Sequence, residues 1–203
     1  SELLRRPGKL YVLASHFHPD HFNKEVLQWR EQRPDIIYIF SKDILRHRRA
    51  QKEDAVWLKK GEEYKDETLS VRAFGSTDVG VSFLLQASGK KIFHAGDLNN
   101  WHWMDESTEA EWKGAEKNFL HELDDLYAYT PEVDVAMFPV DPRLGKEYMR
   151  GAGQFVTKIK THIFVPMHFT PEYAKANAFR DFAEAHGVRF VSLTHRGQKI
   201  EIE

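Results

Sequence analysis

The sequence predicts an α/β fold of two mixed β-sheets flanked by helices. Three observations carry that expectation. The 203 residues are 41% hydrophobic and 30% charged, the balance of a soluble globular protein, and residues 1–203 read as one domain. Strand–helix units open the chain, a meander of strands fills its middle, and strand–helix units return towards its end. Several of the apolar runs lead directly into histidine or aspartate, the arrangement α/β sheets use at their functional edges.

The elements follow in order. Lys9 to Ser15 (KLYVLAS) is an apolar run and reads as a buried strand. Asn23 caps a short helix that extends to about Arg30. Asp35 to Phe40 (DIIYIF) is a second buried strand, and Ser41 to Arg49 a helix with a basic face. Ala55 to Lys59, Thr68 to Phe74, Val79 to Ala87 and Lys90 to His94 have strand character, with Ser88-Gly89 as a hairpin turn between the last two. Leu98 to Ser107 is a loop rich in Asn and Trp. Thr108 with Glu111 forms a capping box that opens a helix to about Tyr129. Val133 to Val140 is a strand, Met149 to Lys160 a helix and Thr161 to Met167 a strand. Thr170-Pro171 starts a helix that Gly187 ends, and Val188 to Thr194 and Lys199 to Ile202 are closing strands.

Composition excludes several classes of function. The net charge is −2, so no basic field argues for a nucleic-acid partner. No apolar run approaches the ~20 residues of a membrane span. There is no cysteine, which rules out disulfides, thiolate metal sites and cysteine nucleophiles. The chain starts at Ser1 without an apolar leader, which points to a trimmed or processed cytoplasmic enzyme. Eleven histidines are present, and three of them, His16, His18 and His21, fall within six residues.

That cluster, His16-X-His18-X-Asp20-His21, lies just past the first strand. In an extended segment residues two apart point the same way, so His16 and His18 can reach one metal ion from one side. Asp20 and His21 follow as the chain turns, and can face a second ion. Imidazole and carboxylate suit zinc and similar ions. Gly96-Asp97 follows the strand ending at His94, and His168 follows the strand ending at Met167. Each is unremarkable alone; together, three strands deliver His and Asp at their C-terminal ends.

These elements, SHFHPDH at Ser15 to His21, IFHAGD at Ile92 to Asp97 and VPMHF at Val165 to Phe169, resemble the metallo-β-lactamase superfamily in content and order. HAGD and PMH look most like the ascorbate-6-phosphate lactonase-like branch. The resemblance implies an αββα sandwich, usually with two metal ions bridged by hydroxide. It assigns His16 and His18 to the first metal and Asp20, His21 and His168 to the second, with Asp97 bridging. The imidazole-rich ligand set suits zinc, as one or two ions, with manganese or iron as alternatives.

Two departures stand out. Where the family supplies a third histidine to the first metal, this chain reads Ala73-Phe74-Gly75-Ser76-Thr77-Asp78. Asp78 is either a substitute oxygen ligand or part of a polar turn, and without it the first metal position is the weaker. Only fifteen residues precede the motif, where the family usually has several strands. Either an N-terminal piece is lacking or the first sheet is reduced.

Further candidates surround these motifs. Trp101, His102 and Trp103 can wall a substrate pocket or stabilise their loop. Arg143 can grip an anionic substrate through its planar fork, or close a local turn with Asp141. His94 is a supporting or replacement ligand, or a packed strand-end residue. The remaining histidines, His47, His121, His162, His186 and His195, lack motif context and read as structural. The expected function is metal-dependent hydrolysis of an ester, lactone or phosphodiester in a small, anionic substrate, with Asp20 orienting the nucleophile or moving its proton. A metal-binding sensor without turnover is the first rival. An RNA-processing nuclease is the second, opposed by the charge balance.

Overall fold

Alternation along the strands sets the layers of this protein, whose residues 2–201 are described by a computed structural model. Strands β1 (Tyr11–Ala14), β2 (Ile37–Ser41) and β3 (Val56–Leu58) form a three-stranded sheet in that order, all parallel. A seven-stranded sheet contains β4 (Glu63–Lys65), β5 (Ser70–Phe74), β6 (Ser82–Ala87), β7 (Lys90–His94), β8 (Glu132–Pro139), β9 (Lys160–Met167) and β10 (Arg189–Phe190). Its order is β10-β9-β8-β7-β6-β5-β4, antiparallel from β4 to β7 and parallel from β7 to β10. The mixture expected of both sheets is thus confined to the larger one. In the smaller sheet each return passes through a helical crossover, which brings the next strand back parallel.

On β2, Tyr38 and Phe40 point to one face and pack with Phe22 and Ile44, while Ile39 points to the other. Ile39 meets Val71, Ala73 and Phe83 of the larger sheet, making the core between the sheets. The far face of the larger sheet presents Leu84, Phe93, Ala136, Phe138 and Phe164 to three helices. These are α2 (Glu109–Tyr129), α3 (Arg150–Lys158) and α5 (Arg180–Ala185). A 3-10 helix (Lys24–Glu31) and α1 (Lys42–Arg46) cover the outer face of the small sheet, completing four layers. Among the described residues no helix is long and apolar enough to cross a membrane.

Local chemistry explains the element ends. Asn23 accepts from the Glu25 amide at 3.0 Å, but the capped segment is a 3-10 helix. Thr108 and Glu111 form the reciprocal capping box on α2. Ser88 and Gly89 both have positive φ, 50° and 75°, as a tight two-residue hairpin requires. The basic-faced helix stops at Arg46, because Arg48 turns left-handed and the amides of Arg48 and Arg49 fold back onto Leu45 and Ile44. Strand β4 has no apolar alternation to reveal it. Tyr64 on β4 and Tyr11 on β1 both donate to Asp66, at 2.9 and 2.7 Å, which ties the two sheets at that edge.

The C-terminal region departs most from expectation. The single helix from Thr170-Pro171 to Gly187 is two short ones, α4 (Tyr173–Asn177) and α5. At the break the Asn177 amide bonds both backbone groups of Leu193, at 2.8 and 3.1 Å. That tether also takes the chain off the sheet, so the strand expected over Val188 to Thr194 is only β10. Lys199 to Glu201 are not a strand, and Ile202 lies outside the described residues.

One polar knot fixes the loop that follows β7. Glu116 on α2 accepts from Arg150 on α3 and, at 2.8 and 2.9 Å, from Gln154 and Asn100. Its carboxyl is held down at about 2 by the Arg150 hydrogen bond, with burial opposing. A lowered acid contributes stability that is complete above its ordinary value of 4.5 and is lost as pH falls towards 2. Glu116→Gln should therefore cost about 1–3 kcal/mol in urea unfolding at pH 7, and the gap to wild type should close between those two pH values. A gap independent of pH would show that the carboxylate is not the stabilising form.

Candidate metal centre

Both sheets deliver side chains to one edge. His16 lies two residues beyond β1 of the small sheet, and Asp97 three residues beyond β7 of the large one. The approach is close: the Val81 amide donates to the Ser15 carbonyl at 3.0 Å. Two glycines permit it. A Cβ on Gly80 would lie 2.1 Å from the Ser15 oxygen, and one on Gly96 2.8 Å from the Val81 oxygen. Both also have positive φ, which a side chain disfavours.

Asp97 is the hub. Its Oδ2 lies 3.2 Å from His16 Nε2, and its Oδ1 lies 3.0 Å from His21 Nε2 and 3.4 Å from His168 Nε2. His16 is wholly buried and Asp97 is 4% exposed. Yet among the described residues His16 Nε2 and Asp97 Oδ1 have no hydrogen-bond partner of good geometry. Buried nitrogen and carboxylate atoms that converge without donors fit a cation between them. Burial would raise the Asp97 pKa, but the close imidazoles of His16 and His21 hold it far below the usual carboxylate range.

Three compact triads share this space: His16, His21 and Asp97; Asp20, His21 and His168; and His18, Asp78 and Asp97. The seven residues singled out by the sequence therefore meet at one place. His16 and His18 stand in different triads, each of which contains Asp97. The rings of His16 and His18 are 4.8 Å apart and perpendicular, while His16 lies beside His21 at 4.0 Å. His18 turns Nδ1 towards Asp78 Oδ2, 4.0 Å away. Asp78 thus faces the cluster from the β5–β6 loop.

The imidazoles are oriented from behind. Ser15 Oγ is 3.0 Å from Nδ1 of His16 and 3.4 Å from Nδ1 of His21, leaving both Nε2 atoms for the hub. His168 Nδ1 bonds Asp141 Oδ2 at 2.8 Å. Burial opposes the charged form of His168, but the bond to Asp141 and the charge of Asp97 prevail and raise its pKa. His168 has a φ of 63°, a costly backbone state for a residue with a Cβ. The loop between His16 and His18 is pinned by the Phe17 amide, which donates to Asp43 at 3.0 Å, and by Phe17 stacking on His47 at 3.7 Å.

Around the hub, Trp101, Trp103, Thr77, Asp78, Arg143 and His168 bound a cleft of about 380 Å³. Asp20 is exposed and borders both this cleft and a neighbouring one beside Asp141. Arg143 makes the local contact with Asp141, at 2.6 Å, and still reaches the cleft wall. His102 does not face the cleft: it is buried, its Nε2 lies 3.1 Å from the Glu147 carbonyl and its Nδ1 accepts from the Met104 amide. His94 accepts from the Gly96 amide, and burial pushes its pKa down to about 4. It lines an apolar space between the sheets with Leu13, Ser15 and Met137 rather than joining the triads.

The sequence marks Asp141 only as a turn partner of Arg143, and it gives Ser15 and Asp43 no role of their own. Asp141 had a usable signal, since it follows the end of β8 within a few residues, as Asp97 follows β7 and His168 follows β9.

The family model for the beta-lactamase superfamily domain matches residues 4–169. No curated protein matches the sequence. Among solved structures, Igni18, a metallo hydrolase from the hyperthermophilic archaeon Ignicoccus hospitalis, superposes with a TM-score of 0.62 at 18% identity, over 91% of this chain and 76% of that one. A candidate metal-dependent hydrolase from Parabacteroides distasonis gives 0.59 at 16%, over 93% and 78%. Zinc-bound PqqB from Methylobacterium extorquens gives 0.53 at 16%, over 90% and 70%. At these identities the likeness is one of fold.

Asp141 is 1% exposed in its side chain and Arg143 64%. Removing the buried partner takes from the mostly buried His168 Nδ1 its bond and leaves Arg143 to solvent, whereas removing the exposed one leaves Asp141 its bond to His168. Asp141→Ala should cost about 1–3 kcal/mol in urea unfolding, and Arg143→Ala less than about 1 kcal/mol. Equal costs would show that Asp141 is not the anchor of this edge.

Proposed function

The chain belongs to the beta-lactamase superfamily, and from that premise we propose that it is a metal-dependent hydrolase of an ester, lactone or phosphodiester in a small, anionic substrate. The observation that carries the reading is the buried Asp97 carboxylate facing three imidazole nitrogens, with its Oδ1 and His16 Nε2 unpartnered. His21, His168 and Asp20 would hold one cation, and His16, His18 and Asp78 the other, with Asp97 between them. Six of these residues would hold the same ions by the sequence resemblance; Asp78 would stand in for the missing histidine. Zinc suits the imidazoles best, with manganese or iron as alternatives. When bound, such a cation polarises the attacked group and acidifies water.

The protein's own residues supply the rest. Asp20 is solvent-facing, 3.4 Å from His21 Nε2, and can orient a water molecule or accept its proton. Ser15 and Asp141 keep the ligand nitrogens aimed at the hub, the task that hydrogen-bonded outer partners perform in metal sites. Arg143 is fixed by Asp141 and presents a positive charge to the anionic part of the substrate. Trp101 is fixed by its N–H donating to the Asp97 carbonyl at 2.8 Å, and walls the cleft beside His168. The likeness of HAGD and PMH to the lactonase-like branch favours a compact anionic ester or lactone.

Protein purified without chelator should contain at least one transition metal ion per chain by elemental analysis. A content near zero, persisting after zinc is added back, defeats the reading. Asp97→Ala and His168→Ala should each lower turnover of the responsive ester, lactone or phosphodiester by about 100-fold or more, with His195→Ala near wild type. Near-wild-type turnover in both ligand variants would place the chemistry elsewhere. In calorimetric titration of apo protein, Asp78→Ala should weaken one metal affinity and leave the other. No change in either removes Asp78 from the ligands.

A further inference from the structure

Trp103 has a φ of 43°, a left-handed backbone that a bulky aromatic residue adopts only when its surroundings impose it. The surroundings do impose it. The Trp103 carbonyl accepts from the amides of Glu106 and Ser107, at 2.9 and 2.8 Å. The preceding residue, His102, is buried and bonded at both ring nitrogens. The Trp103 side chain receives no such support. Among the described residues its indole N–H has no hydrogen-bond partner, and its ring meets only that of Trp101, at 6.3 Å between centroids and 15° between planes. Trp101 is locked by its bond to the Asp97 carbonyl and by the edge of His168. A strained backbone thus holds a half-buried indole parallel to a fixed one, on the wall of the cleft. Across the cleft, Arg143 binds Asp141 through Nε and Nη2, leaving Nη1 without a protein partner among the described residues.

We infer that Trp101 and Trp103 form a stacking wall for a flat, conjugated ring that the substrate carries next to its anionic group, and that this wall selects aromatic or heteroaromatic esters over saturated ones. The inference rests on the proposed hydrolase reading for the bond that is cleaved, but not for the binding. A flat ring gains an offset or edge-on arrangement with the indoles beyond the area it buries, whereas a saturated ring of equal size gains only the area. Arg143 lines the same cleft, and its Nη1 is available to the anionic end. A volume of about 380 Å³ accommodates both groups.

Two phosphonates that cannot be hydrolysed test this without turnover. Benzylphosphonate and cyclohexylmethylphosphonate have nearly the same size and charge and differ in the ring. Titration calorimetry on the protein as purified should show the benzyl compound binding about fivefold tighter. Trp103→Leu should abolish that preference while changing the cyclohexyl affinity by less than about twofold. Equal affinities in the wild type, no binding of either compound, or a preference that survives in a folded Trp103→Leu would each overturn the inference. So would tighter binding of benzyltrimethylammonium than of benzylphosphonate, which would make the wall a cation cage. The wild-type pair decides the matter even if the variant does not fold. A protein that hydrolyses nothing but prefers the benzyl compound retains the wall and loses the hydrolase reading; the converse retains only the hydrolase.

Discussion

A carboxylate buried where two sheets meet is the constraint around which this protein is arranged. Asp97 leaves β7 and faces His16 and His21 from the end of β1, so the three-stranded and seven-stranded sheets must approach at that edge. The approach is made by backbone: Val81 bonds Ser15 directly, and Gly80 and Gly96 leave no Cβ in the way. A side chain at either glycine would part the sheets where the ligating atoms have to converge. The charge in that place is tolerable only because imidazoles surround it, which is why the Asp97 carboxyl is held so strongly acidic despite its burial.

Around the hub stands a set of residues that touch the ligating side chains and set their direction. Ser15 lies behind two imidazoles, Asp141 behind a third, and Asp43 with His47 clamps the loop that carries His18. Each comes from the end of a strand or from the helix next to it. Rigid elements can hold donor atoms within tenths of an ångström, as a metal site requires. Asp141 links this set to the substrate side, since the carboxylate that orients His168 also fixes Arg143. The Glu116 knot does the same for the opposite wall by holding Asn100, three residues beyond Asp97.

Backbone strain follows the same geography. Among the described residues four that are not glycine have positive φ, and two of them, His168 and Trp103, border the cleft. Such states persist where neighbours over-determine them and where the side chain's direction matters. At His168 the direction points Nε2 to Asp97. At Trp103 it sets the indole parallel to that of Trp101.

Much of this was written in the sequence by itself. Apolar runs with strand spacing located β1, β2 and β5 to β9, and the Thr108–Glu111 pair located the start of α2, because these signals are local. The membership of the triads was legible too: His16, His18, His21, Asp97 and His168 all follow strands, and a strand's end fixes where its next residues emerge. What stayed hidden depends on contacts distant in sequence. Strand β4 is held by Asp66 reaching β1, the last helix is broken by Asn177 bonding Leu193, and His102 is turned away from the cleft by the Glu147 carbonyl. The pairing inside the cluster was hidden for the same reason. His18 faces Asp78 across 4.0 Å and the His16 ring lies 4.0 Å from that of His21, contacts that no spacing along the chain states. The sequence by itself determined which histidines and aspartates stand at the strand ends. Only the tertiary structure decided which of them face one another, because that depends on how closely two sheets pack, and no local pattern encodes that distance.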